Sequence, residues 1–151
     1  MKRVIVDHYG GPEVVKVVED DVPKPGQGEV RVRVLAAGVS FTDSQLRAGT
    51  YIPGGPKPPF TPGYELVGVV EELGPGCSRL HVGDRIGALT VWGADAESVC
   101  MPEAGAVEVP ENLDPAPARP RGHLLMRPSM QGSSTPFATL SRSRASNVHT
   151  R

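Results

Sequence analysis

The sequence predicts a mainly β protein, with short strands between sharp turns arranged as a barrel or a sandwich, followed by a disordered basic tail. Three observations carry this. The 151 residues include 18 glycines and 16 prolines, about twice the usual share of the two together, and helix interiors tolerate neither. Valines alternate with charged residues in Val30-Arg31-Val32-Arg33-Val34, as a strand with one buried face requires. Finally, the charge breaks along the chain. Residues 115–151 hold six arginines and no acidic residue, while residues 1–114 hold all 17 acidic residues against ten basic ones, a net of −7.

Val4 and Val6 alternate within Met1–Asp7, which reads as the first strand, and Val14–Glu19 follows the breaker Gly10-Gly11-Pro12. Pro23-Lys24-Pro25-Gly26 separates these from the strand at Val30–Val34. Ser40 is a candidate helix N-cap, Thr42 and Leu46 would share one helical face, and Gly49 supplies a stop, so one or two helical turns are expected there. Seven of the twelve positions in Tyr51–Pro62 are proline or glycine, and the segment reads as loop. Leu66–Leu73, Arg85–Val91, Ala96–Met101 and Ala106–Val109 complete the strands.

Several classes of protein are excluded. The longest apolar stretch, Val34–Val39, contains Gly38 and is far too short to span a bilayer. Lys2 and Arg3 precede only Val4-Ile5-Val6 before Asp7, which is no secretory core, so a soluble, cytoplasmic protein without a membrane partner is expected. Cys77 and Cys100 form no disulfide framework and no CxxC pair. The tail lacks apolar periodicity and cannot bury enough surface to offset its ordering entropy. Its arginines are scattered and only Phe137 could stack on a base, so no nucleic-acid partner is expected. The boundary falls near Asp114-Pro115, giving an ordered domain at 1–114 and a tail at 115–151.

One stretch carries more than fold information. Pro62-Gly63-Tyr64-Glu65-Leu66-Val67-Gly68-Val69-Val70, then Gly74, then Val82-Gly83-Asp84-Arg85-Ile86, resembles the catalytic-domain core of the medium-chain dehydrogenases/reductases. Gly10-Gly11-Pro12-Glu13, Ala37-Gly38-Val39-Ser40-Phe41-Thr42-Asp43 and Gly49-Thr50-Tyr51 match the same superfamily in order and separation. The resemblance covers about residues 1–114 and is greatest to the zinc-free quinone oxidoreductases, the zeta-crystallin-like branch. It implies a GroES-like, partly open β-barrel with short helices, and NADPH-dependent reduction of a quinone, enone or related carbonyl.

The zinc-dependent relatives place a cysteine where this chain has Ser40 and a histidine where it has Tyr64. A catalytic zinc needs three ligands drawn from thiolate, imidazole and carboxylate, and of the matching positions only Glu65 could serve. No zinc is expected. The resemblance sets Ser40, Phe41 and Thr42 toward the nicotinamide and substrate of a complete enzyme. Thr42 matches a hydroxyl that relays a proton, and Tyr51 matches a tyrosine that lines the cleft and could polarise a carbonyl. Plainer roles compete: Ser40 or Thr42 as a helix cap, Tyr51 as a packed loop aromatic, Asp43 and Glu65 as a structural polar network. Asp84-Arg85 reads as a turn pair, Trp92 as a core residue in preference to one near the cleft, and Cys100 as a small buried hydrophobe.

The superfamily holds its dinucleotide on a Rossmann domain with a Gly-rich turn, and no G-x-G-x-x-G occurs here. In Gly74-Pro75-Gly76, Arg79 stands where the third glycine belongs. The expectation is therefore a catalytic domain without its Rossmann partner, ending in a non-homologous tail, binding no NADPH tightly and inactive alone. An alternative from another class is a non-catalytic GroES-like binding module. A monomer is favoured, because dimers in the family commonly form through the cofactor domain. Limited trypsinolysis should remove the tail at its arginines and leave a stable fragment of about residues 1–114. Equal protection of Arg142 and Arg31 would refute that boundary.

Overall fold

The computed structural model describes residues 1–51 and 53–110; residues 111–151, with the expected basic tail and its boundary, lie outside the described residues. Two antiparallel sheets form. Strands β1 (Lys2–Val6) and β2 (Val15–Glu19) make a two-stranded ribbon. Strands β3 (Glu29–Gly38), β4 (Glu65–Leu73), β5 (Arg85–Leu89), β6 (Ser98–Pro102) and β7 (Ala106–Glu108) make a second sheet in the order β6-β3-β4-β5-β7. Single backbone links stitch ribbon to sheet: Val4 N–H donates to Asp95 O at 2.8 Å, Glu97 N–H to Lys2 O at 3.0 Å, and Val34 N–H to Glu97 O at 2.9 Å. The one α-helix among the described residues, α1 (Phe41–Ala48), bridges β3 and the loop that leads to β4.

The pleat explains which residues are inside. On β3, Val30 and Val32 are wholly buried while Arg31 and Arg33 stand on the other face, paired with Glu72 and Glu71 of β4. β4 answers with Leu66 and Val70, and β5 adds Ile86 and Ala88. Leu80 joins this core from a loop that a single carboxylate pins down. The amides of Leu80, Arg79 and Ser78 donate to Glu103 at 2.9, 2.9 and 3.2 Å, and these bonds, that from Leu80 foremost, hold the Glu103 carboxyl below its ordinary range. A second, smaller core of Val6, Val14, Leu46 and Phe60 lies between the ribbon and α1, with Tyr51 packed against it.

The expected elements are present, with shifted edges. β2 starts at Val15 because Pro12–Val14 forms a 3-10 turn. β3 runs on to Gly38, and its register slips between Arg31 and Val32 and between Val34 and Ala36. β5 ends at Leu89 rather than Val91, because Val91 takes a left-handed φ of 66° that no strand accommodates. The last long strand begins at Ser98 rather than Ala96, because the amides of Ala96 and Glu97 are bonded instead to Ala94 O and Lys2 O. The helix matches its expected ends: Ser40 caps it and Gly49, at φ 73°, closes it.

β3 and β4 pack closely at Gly68, which opposes Val34 on one side and Ile86 on the other. A Cβ there would lie 2.5 Å from Arg33 O and would collide with the Val32 side chain. Gly68→Ala should therefore lower stability by about 2 kcal/mol or more, read as a drop in the urea midpoint with an unchanged slope. A shift within experimental error would show that the strands can separate without cost.

Candidate active site

The junction of β3, α1 and β4 gathers the sequence-predicted residues, and one carboxylate organises it. Asp43, at the third helical position and nearly buried, accepts the Ser40 amide at 2.7 Å and the Ser40 hydroxyl at 2.9 Å on Oδ2. Ser40 Oγ accepts the Asp43 amide in return at 3.4 Å, completing a reciprocal capping box. The other oxygen, Oδ1, accepts the amide of Gly63 at 3.0 Å, across 20 residues of chain. Asp43 thus ties the start of the helix to the approach to β4.

A second strap hangs on the same segment. Thr90 and Val91 both donate their amides to Tyr64 O, at 2.8 and 3.1 Å, and the Thr90 hydroxyl donates to Gly63 O at 2.9 Å. Gly93 and Asp95 donate to Pro62 O at 3.1 and 3.0 Å, and Ala94 to Gly63 O at 3.2 Å. Gly63 sits at φ 105°, and a Cβ there would lie 2.5 Å from the Asp95 amide nitrogen and 2.8 Å from Asp95 Oδ1. Only glycine fits.

The predicted residues divide accordingly. Ser40 is the cap, its hydroxyl engaged twice. Phe41 is the first helical residue and 78% exposed. Thr42 follows half-buried, and its hydroxyl makes no hydrogen bond with the described residues. Tyr51 packs on the small core beside Leu46, and no hydrogen bond links its phenol to Ser40 or Thr42. The Asp43 network runs to Ser40 and Gly63 and leaves Glu65 exposed. Asp84 accepts the His81 amide at 2.7 Å, the expected turn just before β5. The core placement expected for Trp92 is corrected: its side chain is 40% exposed, because the turn that carries it is strapped at the rim of the sheet. Cys100 is half-buried, and burial raises its thiol pKa. Cys77 donates to Glu29 O at 3.2 Å.

Asp95 went unread in the sequence. Burial, and then the Asp43 carboxylate, push its pKa up to about 6. No local pattern announces it, since the contact arises only when residues 93–95 fold back on 62–63.

Among the described residues no group of three or more His, Cys, Asp or Glu converges to hold a metal ion. The described residues also do not fit the phosphates of a dinucleotide. Such phosphates want a glycine-rich turn or a helix N-terminus with free amides. At α1 the cap is sealed by the Asp43 carboxylate, and the Gly74–Gly76 turn, although it follows β4, leads into loop.

An open antiparallel sheet with one capped helix at the β3–β4 junction defines a class of domain, and comparison assigns it. Residues 26–111 match the alcohol dehydrogenase GroES-like domain; the chain belongs to that family, within the medium-chain dehydrogenases/reductases. It is 37% identical over 116 residues to the quinone oxidoreductase of Rattus norvegicus, covering 76% of this chain and 35% of that one. It is 34% identical over 113 residues to the human synaptic vesicle membrane protein VAT-1 homolog-like, covering 75% of this chain and 27% of that protein. Escherichia coli quinone oxidoreductase, solved in complex with NADPH, superposes with a TM-score of 0.71 at 29% identity, over 76% of this chain and 35% of that one. The chain thus spans about a third of the length of the relatives it matches.

The Asp95 pKa gives a test with a definite sign. A carboxyl raised in the folded state binds its proton more tightly folded than unfolded. Its contribution to stability is complete below the unfolded value of 3.8 and is lost as pH rises through about 6. Asp95→Asn removes that loss, so the variant should be more stable than the parent at pH 8, by about 1 kcal/mol after discounting for partial exposure. The difference should vanish near pH 4. A gap that is constant from pH 4 to 8 would mean that Asp95 does not titrate in this window.

Proposed function

We propose that this chain is the substrate-side domain of an NADPH-dependent oxidoreductase that transfers hydride to a quinone, enone or other conjugated carbonyl, and that alone it turns over no cofactor. One observation supports this above the others: the Thr42 hydroxyl, without a hydrogen-bond partner among the described residues, set on a helix turn that Asp43 ties down, at the end of the sheet where apolar side chains are exposed. Its relatives, named quinone oxidoreductases and solved with NADPH, supply the reaction class. The domain is taken as residues 1–114, with 115–151 a non-homologous tail, in a cytoplasmic, monomeric protein.

The proposed chemistry belongs to this chain's own hydroxyls and uses no zinc. Carbonyl reduction places negative charge on oxygen, and a donor aimed at that oxygen lowers the barrier. Thr42 is the candidate, either orienting the carbonyl or passing a proton to the nascent alkoxide. A bare threonine has no pKa near neutrality, so it relays and does not act as a strong acid. Tyr51 is the second candidate donor; reaching the carbonyl requires its phenol to extend past the small core on which the ring packs. Ser40, engaged by Asp43, contributes order rather than a free hydrogen bond, and Phe41 supplies an apolar wall.

Isolation accounts for the expected inactivity. The nicotinamide end of a cofactor has about nine heavy atoms, worth about 3 kcal/mol at roughly 0.3 kcal/mol per atom, a Kd on the order of 10 mM. Poorly held groups are poorly oriented, and orientation supplies several kcal/mol of catalysis.

The test is a fusion. A dinucleotide-binding domain from a quinone oxidoreductase, joined after Asp114, should give NADPH oxidation with a quinone acceptor where the unmodified chain gives none. In that fusion Thr42→Val should lower kcat by about a hundredfold, and Tyr51→Phe should do likewise if its phenol reaches the carbonyl. Unchanged kinetics in Tyr51→Phe would return Tyr51 to packing alone. Saturable NADPH turnover by the unmodified chain would overturn the proposal.

A further inference from the structure

We propose that the cleft between the β1–β2 ribbon and the long sheet is a binding site for a small aliphatic ammonium ion, with Asp95 as its counter-charge. The proposal goes beyond the carbonyl-reducing reading and does not rest on it, since no residue that lines the cleft belongs to the Ser40–Asp43 turn.

The cleft follows from how the two sheets meet. Residues 95–97 run between them and bond to each: Val4 N–H donates to Asp95 O, Glu97 N–H to Lys2 O, and Val34 N–H to Glu97 O. These bonds join backbones, and beside them lies a cleft of about 260 Å³. Val4 and its cross-strand partner Val17 line it from the ribbon, Val34 from β3, and Ala96 from the segment between. Val17 is 68% exposed, so the ribbon does not close over the space. A cavity of about 150 Å³ holds a benzene molecule, and a short alkyl chain therefore fits here.

The charges that line the cleft leave one carboxylate unmet. Arg3 is held by Asp20 at 2.8 Å and by the Thr61 hydroxyl at 2.9 Å. Glu97 Oε2 accepts the Lys2 amide at 2.7 Å, and the Lys2 side chain is exposed. Asp95, by contrast, receives no hydrogen bond or ion pair from a described residue. It is half-buried, with Oδ1 packed over Gly63, yet neither of its oxygens is sealed from solvent. Its pKa, pushed up to about 6 by burial and then by Asp43, is what a carboxylate without a cation to offset it should have. Apolar walls with one placed polar group make a small-molecule site, and the unmet negative charge selects a positive head. A metal ion would want more ligands than this single carboxylate, whereas an alkylammonium ion uses both the charge and the apolar wall.

The full chain, labelled with nitrogen-15, is titrated at pH 7.5 with n-hexylammonium, and with n-hexanol and n-hexanoate as neutral and anionic controls. Saturable shifts of the Val4, Val17, Val34 and Ala96 amides are expected, with a Kd on the order of 1 mM and binding of both controls weaker by about tenfold or more. The charged groups that face Asp95 are Asp43 from α1, Lys2 and Arg3 from β1, and Glu97 from its own segment; β2 and β3 contribute only Val17 and Val34. At pH 5 about nine-tenths of Asp95 is protonated, so the affinity for hexylammonium should fall about tenfold from its value at pH 7.5. Asp95→Asn should show the weak affinity at both pH values and leave hexanol binding unchanged. In the parent chain, saturating hexylammonium should move the titration midpoint of the Asp95 carboxyl carbon downward. Equal binding of hexylammonium and hexanol at pH 7.5 overturns the counter-charge, and an Asp95 midpoint that the ligand does not move does the same. Linear shifts scattered over the surface carboxylates overturn the site itself. None of these outcomes bears on quinone reduction by the fusion enzyme, which tests the other reading separately.

Discussion

The arrangement depends on a single carboxylate. Asp43 accepts three donors, two from Ser40 and one from Gly63, and hydrogen bonds to an ionised acceptor are about twice as strong as neutral ones. It lies nearly buried, where an unmet charge would be costly, so the three donors are a requirement of the fold as much as a gain. Because Gly63 is fixed, its neighbours Pro62 and Tyr64 are fixed, and their carbonyls and that of Gly63 then receive the amides of residues 90–95. Three stretches far apart in the chain are positioned by one side chain.

The same carboxylate sorts the candidate hydroxyls. By occupying both the amide and the hydroxyl of Ser40, it converts that residue into scaffold and leaves Thr42 on the first turn with a hydroxyl that has no hydrogen-bond partner among the described residues. It also makes the N-terminus of α1 a poor place for an anion: its negative charge already offsets the positive end of the helix dipole, and a phosphate would meet repulsion. The second carboxylate, Asp95, lies on the other side of Gly63, and burial first, then the Asp43 charge, raises its pKa.

Much of the fold was legible because it is local. Alternating valines placed β3, the breakers separated the strands, and Ser40 with Gly49 bounded the helix within one residue. What escaped was set by distant contacts. Val91 continued a valid strand pattern in sequence, yet the Tyr64 carbonyl turns it left-handed. Asp95 looked like any polar residue between two alanines until Gly63 was brought against it. Trp92 read as core because a lone tryptophan in a small β domain has most to gain from burial, and the strap on residues 62–64 overrides that gain. At the site, residue types identified the candidates Ser40, Phe41, Thr42 and Tyr51, but which hydroxyl is engaged and which is free depends on hydrogen bonds that no sequence pattern specifies.

The two ends of the long sheet differ in a way that bears on chemistry. At one end, Glu103 closes the loop over Leu80 and the core is sealed. At the other, Gly38, Glu65 and Leu89 lie side by side, and Val39, Phe41, Leu89 and Trp92, at or just beyond these strand ends, are exposed. Stabilising a developing alkoxide by one hydroxyl is effective only where water is excluded, since hydrogen bonds to charge weaken in a medium of high dielectric constant. An open apolar rim cannot exclude water by itself. Under the proposed function this is half of an active site: a donor held on the turn that Asp43 ties down, beside exposed apolar side chains, and dependent on a covering surface to make the environment dry.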